Sequence, residues 1–393
     1  MNRKDFIKVC GLFGLSIPLH GVLASCSSEN SDGVVAGDFS GKVIIIGAGA
    51  AGMSAGYLLA QNGIDFQILE ASSVHGGRMK RTTTFADFPI PLGAEWLHST
   101  PAEFTSIVND SSIQVTTQTV PYNSQDVVGY FDNGVYTTAP HGDPGVDRKF
   151  VNSTWFDFFD TYIAPSVLSN TRFNTVINDI NYSGDKVIVT DTNSQTYEAD
   201  KIIFTAPLKI LQGGSINFTP ALSSTKQNAI QSAPVWGGFK AFIEFTNKFY
   251  PVYLAFADSE TSAGQRIYYD ASYGQNSNRN VLGLFSVGQQ AEQYQNLSGD
   301  AQRDYILNEL DQVFNGAASG NYIKHMVQNW NDEPHIKAAY LADNASSSIS
   351  TILSTSINNK VYFAGDAYTQ FDDWSSVHIA ARSARDAVRE LLV

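Results

Sequence analysis

Val43-Ile-Ile-Ile-Gly47-Ala-Gly49-Ala-Ala-Gly52, with Glu70 eighteen residues further on, is the stretch on which the fold of this chain turns. The apolar, β-branched run Val43 to Ile46 suits a strand buried on both faces, and the small residues from Ala50 to Ala60 suit a helix packed tightly against it. Gly63 ends that helix, and Phe66 to Leu69 reads as a second strand with Glu70 at its tip. Each glycine has a physical task in such a unit. Gly47 permits the tight turn, Gly49 lets backbone approach a pyrophosphate, and Gly52, next to the small Ala51, lets helix pack close on sheet. The pyrophosphate would rest on the helix N-terminus, where free N–H groups and the helix dipole favour an anion. Glu70 is placed to accept hydrogen bonds from a ribose hydroxyl. The unit alone leaves open which dinucleotide binds.

The residues after Glu70 narrow that choice. Ala71-Ser-Ser-Val-His-Gly76-Gly77-Arg78-Met79 resembles the segment that follows the second strand in the flavin-containing amine oxidases and their relatives. In that family the two glycines run beside the cofactor pyrophosphate and the arginine contacts it, which is sensible because a guanidinium fork matches a phosphate. Leu92-Gly93-Ala94-Glu95-Trp96 is similar to the family's Leu-Gly-Ala-x-Trp, which implies that Gly93 and Ala94 bring backbone to the isoalloxazine ring. Asn174 to Ile180 resembles the stretch whose Ile177 position meets the adenine, and Ala199 to Pro207 resembles a strand ending in Thr-x-Pro near the flavin. Trp330 to Tyr340 resembles a cofactor-lining segment of monoamine oxidases. Val361-Tyr-Phe-Ala-Gly365-Asp366 resembles the closing strand and turn, whose acidic residue accepts from the ribityl chain. The helix starting near Val377 would then aim its N-terminus at flavin O2, where a positive helix end stabilises a reduced, anionic ring.

The resemblance implies an α/β fold. A Rossmann-like FAD-binding domain of the GxGxxG type would be discontinuous, over 41–98, 171–208 and 331–393, with a smaller α+β substrate-binding domain from 99–170 and 209–330. Length agrees, since 393 residues exceed one ordinary core. Phe150 to Phe159 reads as an aromatic helix of the core, Gly238 to Phe245 alternates as a strand, and Asp300 to Phe314 has helical spacing.

The same resemblance implies chemistry. Lys240 matches the lysine that, in many members, holds a water against flavin N5. Tyr340 matches one ring of the aromatic pair that cages an amine. The other ring falls on Ser376 or Val377, neither aromatic, and Trp374 could replace it only from a displaced loop. His98 resembles a substrate-contacting histidine of polyamine oxidases, and Glu95 could pair with an ammonium. The implied reaction passes a hydride equivalent from a C–H beside an amine nitrogen to flavin N5, with O2 as acceptor giving hydrogen peroxide. An L-amino-acid oxidase, with Arg81 or Arg266 as carboxylate clamp, and a carbon–carbon desaturase remain open on the same frame, as does a flavin-binding surface lipoprotein without turnover. Only Cys10 and Cys26 exist, so no cysteine-based metal site can form and no cysteinyl-flavin bond, for Ala339 holds that position. A link through His75 is the one covalent alternative, and the expectation is dissociable FAD.

A net charge of −13 with no basic stripe argues against nucleic acid as a partner. Arg3 and Lys4 open an apolar stretch that ends in Leu23-Ala-Ser-Cys26, which resembles a bacterial lipobox. Residues 1–26 therefore read as a signal peptide and 27–40 as a tether. The expected location is the cell envelope, with the membrane reached only through a lipid on Cys26. Export by the twin-arginine or the general route, and the oligomeric state, are left open by the sequence.

Overall fold

The computed structural model describes residue 37 and residues 39–370 and 375–393. The leader with Cys26, most of the tether, and Trp374 lie outside the described residues.

A five-stranded parallel sheet runs in the order Thr171–Arg172, Phe66–Leu69, Val43–Ile46, Lys201–Phe204, Val361–Phe363. Its central strand, Val43–Ile46, is apolar at every position because both faces are covered. One face carries the helix Ala50–Gln61 packed against the last helix, Val377–Leu392. Small residues let the first of these helices sit close on the sheet. A Cβ on Gly56 would meet Phe66 and Ile68 at 3.0 Å. The other face is covered by a four-stranded sheet, Thr196–Ala199, Val187–Asp191, Ile177–Asn181 and Asn217–Thr219, with helices Leu208–Gln212 and Ser224–Ser232 beside it.

An eight-stranded sheet forms the second body of structure. Tyr322–Asn329, Gly238–Phe245, Asn280–Gly288, Gly264–Asp270 and Tyr253–Phe256 lie side by side, joined by Val127–Asp132 and Val135–Pro140, and the short Glu260–Thr261 pairs with Gly264–Asp270. The helix Gly299–Phe314 closes one side through Ile306, Leu310 and Val313.

Two segments pack differently from the lobe boundaries read in the sequence. Within 99–170, the helices Ala102–Val108, Trp155–Tyr162 and Ala164–Val167 bury Phe104, Trp155, Phe158 and Phe159 in the core of the parallel sheet, whereas 127–140 joins the large sheet. Residues 208–232 likewise pack on the parallel-sheet side, through Leu208, Leu211 and Ile230. Each segment carries an apolar helix face, and composition does not reveal which of two nearby cores it will cover.

Candidate active site

A cavity of about 950 Å³ lies where the C-terminal ends of the parallel strands, at Ile46 and Leu69, meet Phe239, Lys240 and Phe285 of the large sheet. Crevices outside the carboxyl ends of parallel strands are where open α/β sheets bind ligands.

At one end the backbone is cleared of side chains. Gly47 has φ +105°, and Thr205 from the neighbouring strand donates to the Ile46 carbonyl at 2.8 Å, tying the turn to the sheet. A Cβ on Gly49 would meet nothing within 4 Å, and one on Gly77 would come no nearer than 3.5 Å to the Gly49 Cα. The two glycine backbones thus lie against each other, with open space in front of Gly49. Gly52 does not line the cavity. Its place is behind it, where a Cβ would sit 1.9 Å from the Gly47 carbonyl oxygen.

Glu70 is fastened before any ligand arrives, since its carboxylate accepts from the Ala48 N–H at 2.6 Å and the Ser72 N–H at 2.8 Å. One lone pair on each oxygen remains for a ribose. Arg78 is held more firmly than the phosphate role alone suggests. Its guanidinium grips Asp366 through both carboxylate oxygens, at 2.5 and 2.8 Å, and donates to the Ala339 carbonyl at 2.5 Å. Asp366 is therefore engaged by Arg78 as well as placed for a ribityl hydroxyl. Ile177 lines the same end, and Gly365 precedes Asp366 at the end of the last parallel strand.

Two helices begin on this cavity without capping side chains. Ala50–Gln61 starts after Gly49 and Val377–Leu392 after Ser376, neither with an acidic residue in its first turn. Their open N–H groups present two positive ends to one space. That arrangement suits a ligand with negative charge at two separated places.

The backbone of Gly93 and Ala94 forms the middle of the wall. Ala94 donates to the Arg78 carbonyl at 3.0 Å, and Trp330 donates from its indole to the Leu92 carbonyl at 3.0 Å. A Cβ on Gly93 would fall 1.8 Å from the Arg78 oxygen, so only glycine allows this approach. Lys240 reaches the same wall, donating to the carbonyls of Pro91 at 2.9 Å and Gly93 at 3.2 Å and to Glu95 at 2.6 Å. Glu95 is not available to a substrate ammonium, contrary to the sequence reading. It is buried and already paired with Lys149 as well as Lys240, and Tyr269 donates to it at 2.7 Å. Burial alone would raise the Glu95 carboxyl, but the two lysines outweigh it and hold it below its ordinary value. Burial lowers Lys240 to about 8, and Glu95 opposes that fall.

Tyr340 lines the cavity with Ser376 and Val377 and packs against Trp236. No ring stands at either of the latter positions. Aromatic surface is supplied instead by Trp96, Phe239, Phe285 and Trp330. His98 lines the cavity with its Nδ1 2.9 Å from Asp147. His378, in the first turn of the last helix, is buried in the wall, and that burial, with His98 and Arg382 nearby, depresses its imidazole to about 3, so it stays neutral.

Three further lining residues were not anticipated: Glu260, Gln265 and Asp343. Gln265 donates to Asp343 at 2.7 Å. Among the described residues neither carboxylate forms an ion pair with lysine or arginine. Both residues are exposed parts of the lining; partial desolvation still raises both carboxyls, and Asp343 raises Glu260 further by repulsion. Residues so far apart carry no local signal that they meet. The two arginines considered as carboxylate clamps point elsewhere. Arg81 pairs with Asp157 at 2.6 Å, and Arg266 is buried with Glu309 and Asp258. His75, stacked on Phe156 and 3.1 Å from Asp160, is not among the residues that line the cavity.

Residues 156–392 match the flavin containing amine oxidoreductase family, and residues 45–110 match the NAD(P)-binding Rossmann-like domain. The chain belongs to the flavin-containing amine oxidoreductases. Similar curated proteins include lysine-specific histone demethylase 1B of Mus musculus, 29% identical over 50% of this chain and 24% of that protein. Polyamine oxidase 7 of Oryza sativa is 26% identical over 56% of this chain and 66% of its own length, and polyamine oxidase 1 of Zea mays is 22% identical over 84% and 83%. The chain thus spans about a quarter of the demethylase it matches. Among solved structures, a wild-type putrescine oxidase bound to putrescine superposes with a TM-score of 0.71 at 13% identity, over 89% of this chain and 98% of that one. This likeness is one of fold. In a flavin-containing amine oxidoreductase the cofactor of the cavity is FAD, and the backbone cleared at Gly49 and Gly77, the paired helix ends and the pinned Glu70 fit a long dinucleotide with a central pyrophosphate.

Proposed function

We propose that the chain is an oxidase of small cationic amines that holds FAD without a covalent bond. The observation that carries the substrate class is the pair Glu260 and Asp343, two exposed carboxylates that form no ion pair with lysine or arginine among the described residues, at the cavity wall shared with His98 and Tyr340. Such a wall attracts a cation and repels a free carboxylate. Bound FAD would supply the two-electron acceptor for a C–H beside the amine nitrogen, with O2 as the second acceptor giving hydrogen peroxide.

The chain's own residues then have separable tasks. Gly47, Gly49, Ala51, Gly77 and Arg78 would seat the pyrophosphate, Glu70 the adenosine ribose, and Ile177 the adenine. Gly93, Ala94 and Trp330 would hold the ring, with Gly365, Asp366 and the amide end at Val377 on its other side. Tyr340 would orient the amine, and Asp147 would fix the ring of His98 against it. Glu260 and Asp343 would take a distal ammonium. Ala339 leaves no thiol for a covalent link.

Residues 27–393, purified with FAD and mixed without oxygen with amines, polyamines and amino acids, should lose visible flavin absorption with amines. Bleaching by amino acids alone would overturn the subclass, and a protein that never takes up flavin would overturn the whole reading. Glu260→Gln with Asp343→Asn should raise KM for a diamine about tenfold, or about 1.4 kcal/mol, with a smaller change for a monoamine. Because both carboxyls are raised, they protonate at a higher pH than ordinary ones. As pH falls, KM for the diamine should therefore begin to rise above the usual carboxylate range, and the double variant should lack this acid limb. An unchanged acid limb in the double variant would remove these residues from substrate binding.

The leader carries its own proposal, export with a lipid on Cys26. Cys26→Ser should shift the protein from the detergent phase to the aqueous phase on cloud-point partition of cell extracts; equal partition would discard the lipobox reading.

A further inference from the structure

At the wall formed by Gly93 and Ala94, one buried carboxylate serves two ammonium groups. Glu95, Lys149 and Lys240 are each 2–4% exposed, and the cluster is flanked by Tyr269, whose ring lies 5.1 Å from the Lys149 nitrogen and 5.5 Å from that of Lys240. They come from three separate elements: the turn after Gly93, the short strand Arg148–Phe150 and the strand Gly238–Phe245. The cluster holds two positive charges and one negative, a costly arrangement unless the excess charge has a use. Lys240 lines the cavity and Lys149 does not. All three donors of Lys240 are directed at Pro91, Gly93 and Glu95, so its charge bears on the cavity through the wall it holds.

We propose that Glu95 and Lys149 are positioning residues that set, in opposite senses, the pH at which Lys240 gives up its charge beside the cofactor. This rests on the FAD reading of the cavity. The geometry fixes the signs. Glu95 stabilises the Lys240 ammonium by direct contact. Lys149 repels that ammonium and competes for the same carboxylate. Facing Lys240 from the other packed elements are the neutral Tyr269 and, opposite it in register on the two flanking strands, Phe285 and Gln328. Glu95 and Lys149 are accordingly the charges that act on it, and burial, Glu95 and Lys149 shift it in the senses just described. A cation at this wall favours an electron-rich cofactor ring, so its loss with rising pH must appear in the reduction potential.

The test is the midpoint potential of the bound flavin, measured by dye equilibration across pH in the FAD-loaded protein. A plot against pH should show a break that Lys240→Met abolishes. Lys149→Met should move that break upward by about one pH unit, because Glu95 then serves Lys240 alone. Glu95→Gln should move it downward. Should Glu95→Gln fail to fold with two buried cations, Tyr269→Phe, which removes only a donor to Glu95, replaces it. A stronger Glu95–Lys240 pair then predicts a small upward move. Unmoved breaks in Lys149→Met, shifts of the same sign in Lys149→Met and Glu95→Gln, or no break that depends on Lys240 would each overturn the proposal. Failure of the parental protein to bind flavin would instead overturn the reading on which it rests.

Discussion

Gly52→Ala is expected to emerge from purification without flavin and with a markedly lower melting temperature. The alanine methyl would sit 1.9 Å from the Gly47 carbonyl oxygen and 2.9 Å from the Thr205 hydroxyl. Neither neighbour can yield cheaply. The oxygen belongs to a turn whose glycine already has φ +105°, and the hydroxyl anchors that turn to the strand Lys201–Phe204. Relief therefore requires the helix Ala50–Gln61 to lift from the sheet, which loosens its contact with the last helix and moves its N–H groups from the pyrophosphate position. Overpacking of this kind costs about 1–3 kcal/mol in stability, and the displaced helix end adds a loss of cofactor affinity. Flavin absorbance per protein and a thermal melt in excess FAD check both parts. Parental flavin content would show that the close approach is not needed for binding.

Arg78→Met should weaken FAD binding at least a hundredfold, about 2.7 kcal/mol, through two separate losses. The guanidinium would no longer be available to a phosphate, and Asp366 would keep its negative charge with no cation near a cavity that must admit an anion. The losses can be separated. Adding Asp366→Asn should restore much of the thermal stability lost in Arg78→Met, because the unpaired charge is gone, yet leave FAD affinity poor, because the phosphate partner is still missing. Full recovery of affinity in the double variant would assign Arg78 a purely structural task. Titration with FAD, followed by quenching of flavin fluorescence, measures both proteins.

These expectations differ in how early they could be drawn. Gly47, Gly49, Gly52 and Glu70 act within one βαβ unit, so their spacing in the chain is their spacing in space. Arg78 was legible by its place after Glu70, but its grip on Asp366 was not, since the partners lie 288 residues apart and meet only when the last strand joins the sheet. Glu95 was misread for the same reason. A lone acid in a turn suits a substrate ammonium until Lys149 and Lys240 are seen on either side of it. Glu260 and Asp343 gave no signal at all. The lobe boundaries failed where an apolar helix, such as Trp155–Tyr162, could have covered either core and geometry chose the parallel sheet.

The two helices that open on the cavity come from distant parts of the chain, one directly after the first strand and the other the last element of the sequence, and they pack on each other. Neither half of the anion-binding surface exists without the other. A nascent chain on the ribosome, with residues 377–392 not yet released, has its glycine turn but no second positive end and no cover for the Ala50–Gln61 helix. Cofactor capture therefore waits until synthesis has passed residues 377–392, and truncation within that helix should abolish flavin uptake while leaving the eight-stranded sheet, which contains none of its residues, intact.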